Sequence, residues 1–208
     1  MDNAIAEGKC VPFIVVMNNG MIRYPGCNLS LRDMAFEDNL LGSNIPFIES
    51  EYRVYTDKYH RAIAGLSMGA YASNDIAMGH PELFAYVAAF TGCMYHGGVP
   101  QENYVRPWER VMLEDHGEMV KKEYRVFFQL ATTMEDYIDY VYEDNRICRE
   151  NGVADMPGYR FIVHDQDETK WTSWRMGLYE YIKMLFREEH AYEKREYMEK
   201  YVNTSKNR

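Results

Sequence analysis

The chain has 208 residues, 47% hydrophobic and 26% charged, enough to bury roughly 70% of the surface that its unfolded form exposes and to form one domain. Its 23 Lys and Arg against 32 Asp and Glu leave a net charge of −9, which disfavours a polyanionic partner such as nucleic acid. No stretch approaches the ~20 uninterrupted apolar residues of a membrane span, and the first residues carry neither a basic leader nor an apolar centre.

In chain order, Val11–Met17 reads as a buried strand, broken by Asn18, Asn19 and Gly20. A helix is predicted from about Phe36 to Tyr52. Leu40, Leu41, Ile45, Phe47 and Ile48 form its inner face, with Pro46 as a point of division. Arg61–Leu66 is the second strand, and Ala70–Met78 a helix stopped by Gly79, His80 and Pro81. Phe84–Phe90 is a third strand ended by Thr91 and Gly92, followed by a loop through Tyr95, His96, Gly97 and Gly98. A charged helix spans Trp108 to Met119. Tyr124–Leu130 is a fourth strand, Tyr137–Glu150 a helix and Tyr159–Val163 a fifth strand. The last helix starts near Trp171 and sets Trp171, Trp174, Leu178, Tyr181 and Leu185 on one face. Beyond Phe186 a charged tail, residues 188–208, extends it as a solvated projection or packs against a partner.

Strands alternating with helices imply an α/β domain, here over residues 1–187, with a mostly parallel sheet covered on both faces. The four cysteines, Cys10, Cys27, Cys93 and Cys148, include no C-x-x-C pair, so neither a zinc site nor a disulfide framework is indicated. The run Asp165, Gln166, Asp167 and Glu168 has no calcium-loop spacing and reads as a solvated loop. His60, His80, His116 and His190 stand in surface or turn contexts.

Chemistry enters at Gly65-Leu66-Ser67-Met68-Gly69, where the second strand meets a helix. This is the G-x-S-x-G nucleophile elbow in the strand–turn–helix context it requires. The tight turn forces the serine to positive φ and lifts its hydroxyl above the sheet edge. It also aims the Met68 backbone N–H at a developing oxyanion.

These residues resemble a family. Ile5 to Lys9, the run into Met17-Asn18-Asn19-Gly20, and Arg61 to Gly69 are similar to carbohydrate esterase family 1. That group comprises feruloyl and acetyl xylan esterases, with enterochelin-esterase-like and esterase D relatives. Pro81 to Val87 and Trp171-Thr172-Ser173-Trp174-Arg175 extend the likeness over most of residues 2–187. The resemblance implies an α/β-hydrolase fold and a Ser, Asp or Glu, His triad in that chain order. It implies hydrolysis through an acyl-enzyme, acylated plant polysaccharide or oligosaccharide esters as substrates, and no cofactor.

The chain departs from the family pattern in two places. The family has strands and a helix before the position matching Asp2, including an oxyanion-hole loop, so the sheet is expected to lack its N-terminal strands. His96-Gly97-Gly98 stands on the wrong side of the nucleophile to replace that loop. The exposed edge this leaves predicts a homodimer or strand exchange. Aligning on Trp171, Trp174 and Arg175 also puts Thr169 at the histidine position and Lys170 at the acidic one. Thr169 is no general base near neutral pH. His164, at the end of the fifth strand, is the candidate replacement. Glu135, Asp136 and Asp139 follow the fourth strand as candidate acids, with Asp136 preferred; each also suits a helix start. Two functions follow. One is a serine esterase, weakened or inactive as the chain stands. The other is a catalytically dead homologue that binds carbohydrate or a partner.

Overall fold

The computed structural model describes residues 1–18, 34–92, 107–136, 138–164 and 170–187. The Asn19-Gly20 break, Cys27, Cys93, the His96-Gly97-Gly98 run, the Asp165–Glu168 loop, Thr169, His190 and the tail at 188–208 lie outside the described residues.

Four strands form one parallel sheet in sequential order: β1 (Ala62–Leu66), β2 (Tyr86–Phe90), β3 (Val126–Thr132) and β4 (Tyr159–His164). Leu66 pairs with Phe90, Phe90 with Leu130 and Leu130 with Ile162, so the C-terminal ends of all four strands lie along one rim. β2 and β3 are buried at every position, which is why each reads as a continuous apolar run.

The helices are α1 (Asp2–Ala6), α2 (Met34–Asn39), α3 (Ile45–Glu51), α4 (Met68–Gly79), α5 (Glu118–Glu123), α6 (Ile138–Glu150) and α7 (Lys170–Ile182). Successive residues of β2 and β3 point to opposite faces, so each feeds two cores. Val87 and Phe127 meet α4, α5 and α6 through Met78, Val120 and Ile147. Tyr86, Ala88, Val126 and Phe128 meet α1 and α7 through Ala4, Tyr181 and Ile182. The fold is α/β, as the alternation predicts.

Several elements differ from the sequence reading. Val11–Met17 forms no strand: Ile14, Val15 and Val16 are about half exposed and Met17 is 91% exposed, while Phe13 packs edge-on against Phe186. An apolar run encodes burial, but only hydrogen bonding to a neighbour makes a strand, and this run has no paired neighbour among the described residues. The helix over 36–52 is α2 and α3 joined by a π-helical turn at Leu40–Asn44. Pro46 sits in the first turn of α3, where its missing N–H costs nothing. Phe47, expected inside, is 59% exposed.

The charged helix over 108–119 is also divided. A π-helical turn at Glu109–Glu114 ends at His116 (φ 51°) and Gly117 (φ 67°), and α5 follows. A Cβ at Gly117 would lie 2.4 Å from Val153 Cγ2, so glycine permits both the left-handed turn and the close approach. α7 stops at Ile182, short of the predicted extension, and the chain turns at Phe186 (φ 53°). Of the predicted face, Tyr181 and Leu185 are buried, and Ser173 and Gly177 complete the inner stripe. Trp171 and Leu178 are exposed, because the absence of a side chain at Gly177 lets the helix seat against Phe90 and Leu130.

No helix among the described residues is long and apolar enough to cross a membrane. Those residues contain no group of three His, Cys, Asp or Glu placed to hold a metal ion.

Candidate active site

Ser67 lies between the last residue of β1 and the first of α4, with φ 53° and ψ −120°. The strain expected of the elbow is present at this serine, at a backbone position that non-glycine residues seldom adopt. Neighbouring backbone holds it there. Its N–H donates to Phe90 O at 2.9 Å, and its carbonyl accepts from Ala70 N–H at 3.0 Å and Tyr71 N–H at 3.3 Å.

Two glycines make the geometry possible, and one of them escaped the sequence reading. A Cβ at Gly65 would stand 2.1 Å from Gly69 O, so the strand and the first helical turn touch backbone to backbone. A Cβ at Gly69 itself would meet nothing within 4 Å. The second demanding position is Gly92, where a Cβ would lie 2.4 Å from Ala70 Cβ and 3.1 Å from Ser67 O. The chain leaving β2 therefore crosses directly over the elbow. No local motif signals this, because the contact is made only once β1 and β2 are paired.

The serine hydroxyl is presented to solvent and makes no hydrogen bond with another described residue. Met68, 58% exposed, opens α4, where backbone N–H groups have no acceptor inside the helix. Beside the elbow, Thr91 takes φ 54°, donates its N–H to Leu130 O at 2.6 Å and accepts from Trp174 Nε1 at 2.7 Å. α7 is thus fastened to the rim one residue beyond the carbonyl that holds Ser67.

The remaining candidates are arranged differently. Thr132 and His164 are register partners at the ends of β3 and β4, and Thr133 N–H donates to His164 O at 3.0 Å. His164 Nδ1 lies 3.0 Å from Ser173 Oγ on α7, so the imidazole is held toward the helix. Three interstrand gaps separate β1 from β4, about 14 Å along the rim. His164 therefore ends the strand that lies three places along the rim from the one carrying Ser67.

Of the three acids, Glu135 is buried and its Oε1 accepts from Thr132 Oγ1 at 3.3 Å. Asp136 stands exposed in the turn after β3, and Asp139 is exposed in the first turn of α6, where the helix dipole favours a carboxylate. The four strand ends therefore present, in order, Ser67, Thr91, Glu135 with Asp136, and His164. That is the edge at which open parallel sheets bind ligands.

Known proteins resemble this chain. The family model named Esterase matches residues 4–181. An endo-1,4-beta-xylanase/feruloyl esterase of Xylanibacter ruminicola is 38% identical over 104 residues, which is 49% of this chain and 14% of that protein. The chain therefore spans a small share of the curated relative's length.

Among solved structures, a carbohydrate esterase family 1 ferulic acid esterase from Anaeromyces mucronatus, in complex with ferulic acid, superposes with a TM-score of 0.66 at 19% identity, over 88% of this chain and 69% of that one. A mutant feruloyl esterase module from Clostridium thermocellum complexed with sinapinate gives 0.66 at 22%, over 90% and 68%. The enterobactin esterase of Shigella flexneri gives 0.59 at 15%, over 87% and 46%. At these identities the structures speak for the α/β-hydrolase-type fold.

Proposed function

Because the chain belongs to the esterase family, we propose that it is a serine carboxylic-ester hydrolase of the feruloyl or acetyl xylan esterase type, running slowly or not at all as this chain stands. Its substrates are acylated plant polysaccharide or oligosaccharide esters. The observation that carries this reading is the strained, solvent-facing Ser67 at the head of α4. In the reaction Ser67 Oγ attacks the ester carbonyl and a base takes its proton. The Met68 N–H stabilises the oxyanion, the alcohol leaves and water hydrolyses the acyl-enzyme. The exposed Met68 side chain gives the acyl group an apolar neighbour. Asp136 and His164 remain the proposed acid and base. To serve, His164 has to leave Ser173 and the chain after β4 has to fold back toward β1.

The reduced rate follows from the base. An unassisted serine hydroxyl is a weak nucleophile, and loss of one triad member costs on the order of 10⁴-fold in turnover. The second reading, a catalytically dead homologue that binds carbohydrate or a partner, draws support from Thr169 at the histidine position and from the Ser173 hold on His164. The two separate on a fluorophosphonate probe together with turnover of methyl ferulate and p-nitrophenyl acetate. Labelling lost in Ser67→Ala supports the esterase; complete inertness of wild-type Ser67 supports the second reading. A gain of turnover in Thr169→His would mean that the rest of the site is assembled. Robust wild-type activity abolished by His164→Ala would overturn the missing base. A homodimer is proposed through the exposed Ile14–Met17 run and the edge of β1 that has no partner strand among the described residues, and a well-behaved monomer at high concentration in light scattering would refute it.

A further inference from the structure

A groove of 360 Å³ lies between the outer edge of β4 and α7, at the lower end of the volumes that bind small ligands. Ile162 and His164 form one wall and Arg175, Met176, Tyr179 and Glu180 the other. Resting on the esterase reading above, we propose that this groove holds the sugar portion of the esterified substrate as a neutral oligosaccharide, separately from the acyl group at Ser67.

The argument begins with Trp171. It is 71% exposed, an indole that no core requires at that site. It is nevertheless held in one orientation. Its ring meets Trp174 edge-to-face at 5.0 Å and 76°, and Trp174 is hydrogen-bonded to Thr91. Thr91 follows Phe90, whose carbonyl holds Ser67. A rigid, solvent-facing aromatic face therefore stands a short chain of contacts from the nucleophile. Pyranose and furanose rings present C–H faces that pack on such a surface.

Trp171, Arg175 and Tyr179 recur at i, i+4 and i+8, so they share one side of α7 over about 12 Å. Arg175 makes no ion pair or hydrogen bond among the described residues, which leaves its planar donor fork for a ligand. Glu180, paired with Lys183 at 2.6 Å, supplies acceptor oxygens on the same wall. Tyr179 closes the far end, with Lys183 Nζ 4.7 Å from its ring centroid. One cation, one anion and an imidazole amid apolar walls select hydroxyl groups over a charged ligand.

The test uses the full chain and a linear xylo-oligosaccharide carrying no ester, titrated calorimetrically. Saturable binding is expected, weakened roughly tenfold or more in Trp171→Ala and, separately, in Arg175→Ala, and unchanged in Ser67→Ala. Arg175→Ala keeps the question open to refutation if Trp171→Ala disturbs Trp174. Absence of binding at millimolar oligosaccharide, or binding indifferent to both groove substitutions, overturns the proposal. Because the ligand has no scissile bond, these outcomes are independent of turnover. Failure of the esterase reading would appear instead as an unlabelled Ser67 in protein that still binds sugar.

Discussion

The two ends of the rim are built to different standards. At β1 the elbow is over-determined: one backbone hydrogen bond from Ser67 N–H, two into its carbonyl, and two glycine positions with no room for a Cβ. Toward β3 and β4 one backbone hydrogen bond, from Thr133 N–H to His164 O, is joined by side-chain contacts: His164 to Ser173 and Thr132 to Glu135. Backbone contacts between paired elements move only if the sheet moves, whereas side-chain contacts are remade by a rotamer change. The strained half of an ester-cleaving site can therefore persist while the acid–base half is rearranged.

That contrast can be broken by substitution. The largest effect is expected at Gly65, where an alanine Cβ meets the Gly69 carbonyl, a backbone group that cannot swing aside. Gly65→Ala should cost about 3 kcal/mol or more in urea unfolding and abolish fluorophosphonate labelling. A loss under about 1 kcal/mol would mean that the elbow is not backbone-locked.

A smaller loss is expected at the other end. At Gly177 a Cβ meets Leu130 Cδ1 at 2.5 Å and Phe90 ring atoms at 3.2 Å, which are side-chain atoms with some freedom to shift. Overpacking costs roughly 1–3 kcal/mol, and replacing a mid-helix glycine by alanine returns about 1 kcal/mol. Gly177→Ala should therefore destabilise by about 1 kcal/mol, clearly less than Gly65→Ala, and a reversed order would sink the comparison.

Ser173→Ala removes the hydroxyl that holds His164 and should cost about 1 kcal/mol. Probe labelling of Ser67 should not change, since three interstrand gaps still intervene. A several-fold faster labelling would identify the Ser173 hydroxyl as the restraint on the base. The smallest response belongs to the packed body beneath both ends. Burial pushes the Cys148 thiol up to about 12, so it stays a neutral thiol through neutral and mildly alkaline pH. Iodoacetamide at pH 8 should modify Cys148 only after denaturant is added.

How much was legible in the sequence follows the same division. β2 and β3 were visible as apolar runs because strands buried on both faces need apolar residues on both, and β1 and β4 were visible as short apolar runs although they are only partly buried. The elbow was visible because its strain has a local glycine signature. Val11–Met17 carries the same apolar signature without pairing, and nothing within the run distinguishes the two cases. α7 was misread in part because two of its buried positions are Ser173 and Gly177, which register as polar or blank in an apolar periodicity. Glu135 and Asp136 are adjacent and chemically alike, yet one is buried and the other exposed, and the turn after β3 decides which. Gly92 over Ala70, and Ser173 against His164, are tertiary contacts with no local correlate.

The sequential strand order has a consequence for how this chain is made. Each strand pairs with the one synthesised before it, so the sheet can lengthen one strand–helix unit at a time as the polypeptide emerges from the ribosome. The face covered by α7 has to wait. Ala4, Cys10 and Phe13 are made before the sheet, yet they pack in one cluster with Tyr181, Ile182 and Leu185, made well over a hundred residues later. Until those arrive, Tyr86 and Phe128 remain open to water on that side. A stalled or clipped product lacking α7 would hold an assembled sheet with one bare apolar face, the kind of species that chaperones retain and that aggregates when they do not.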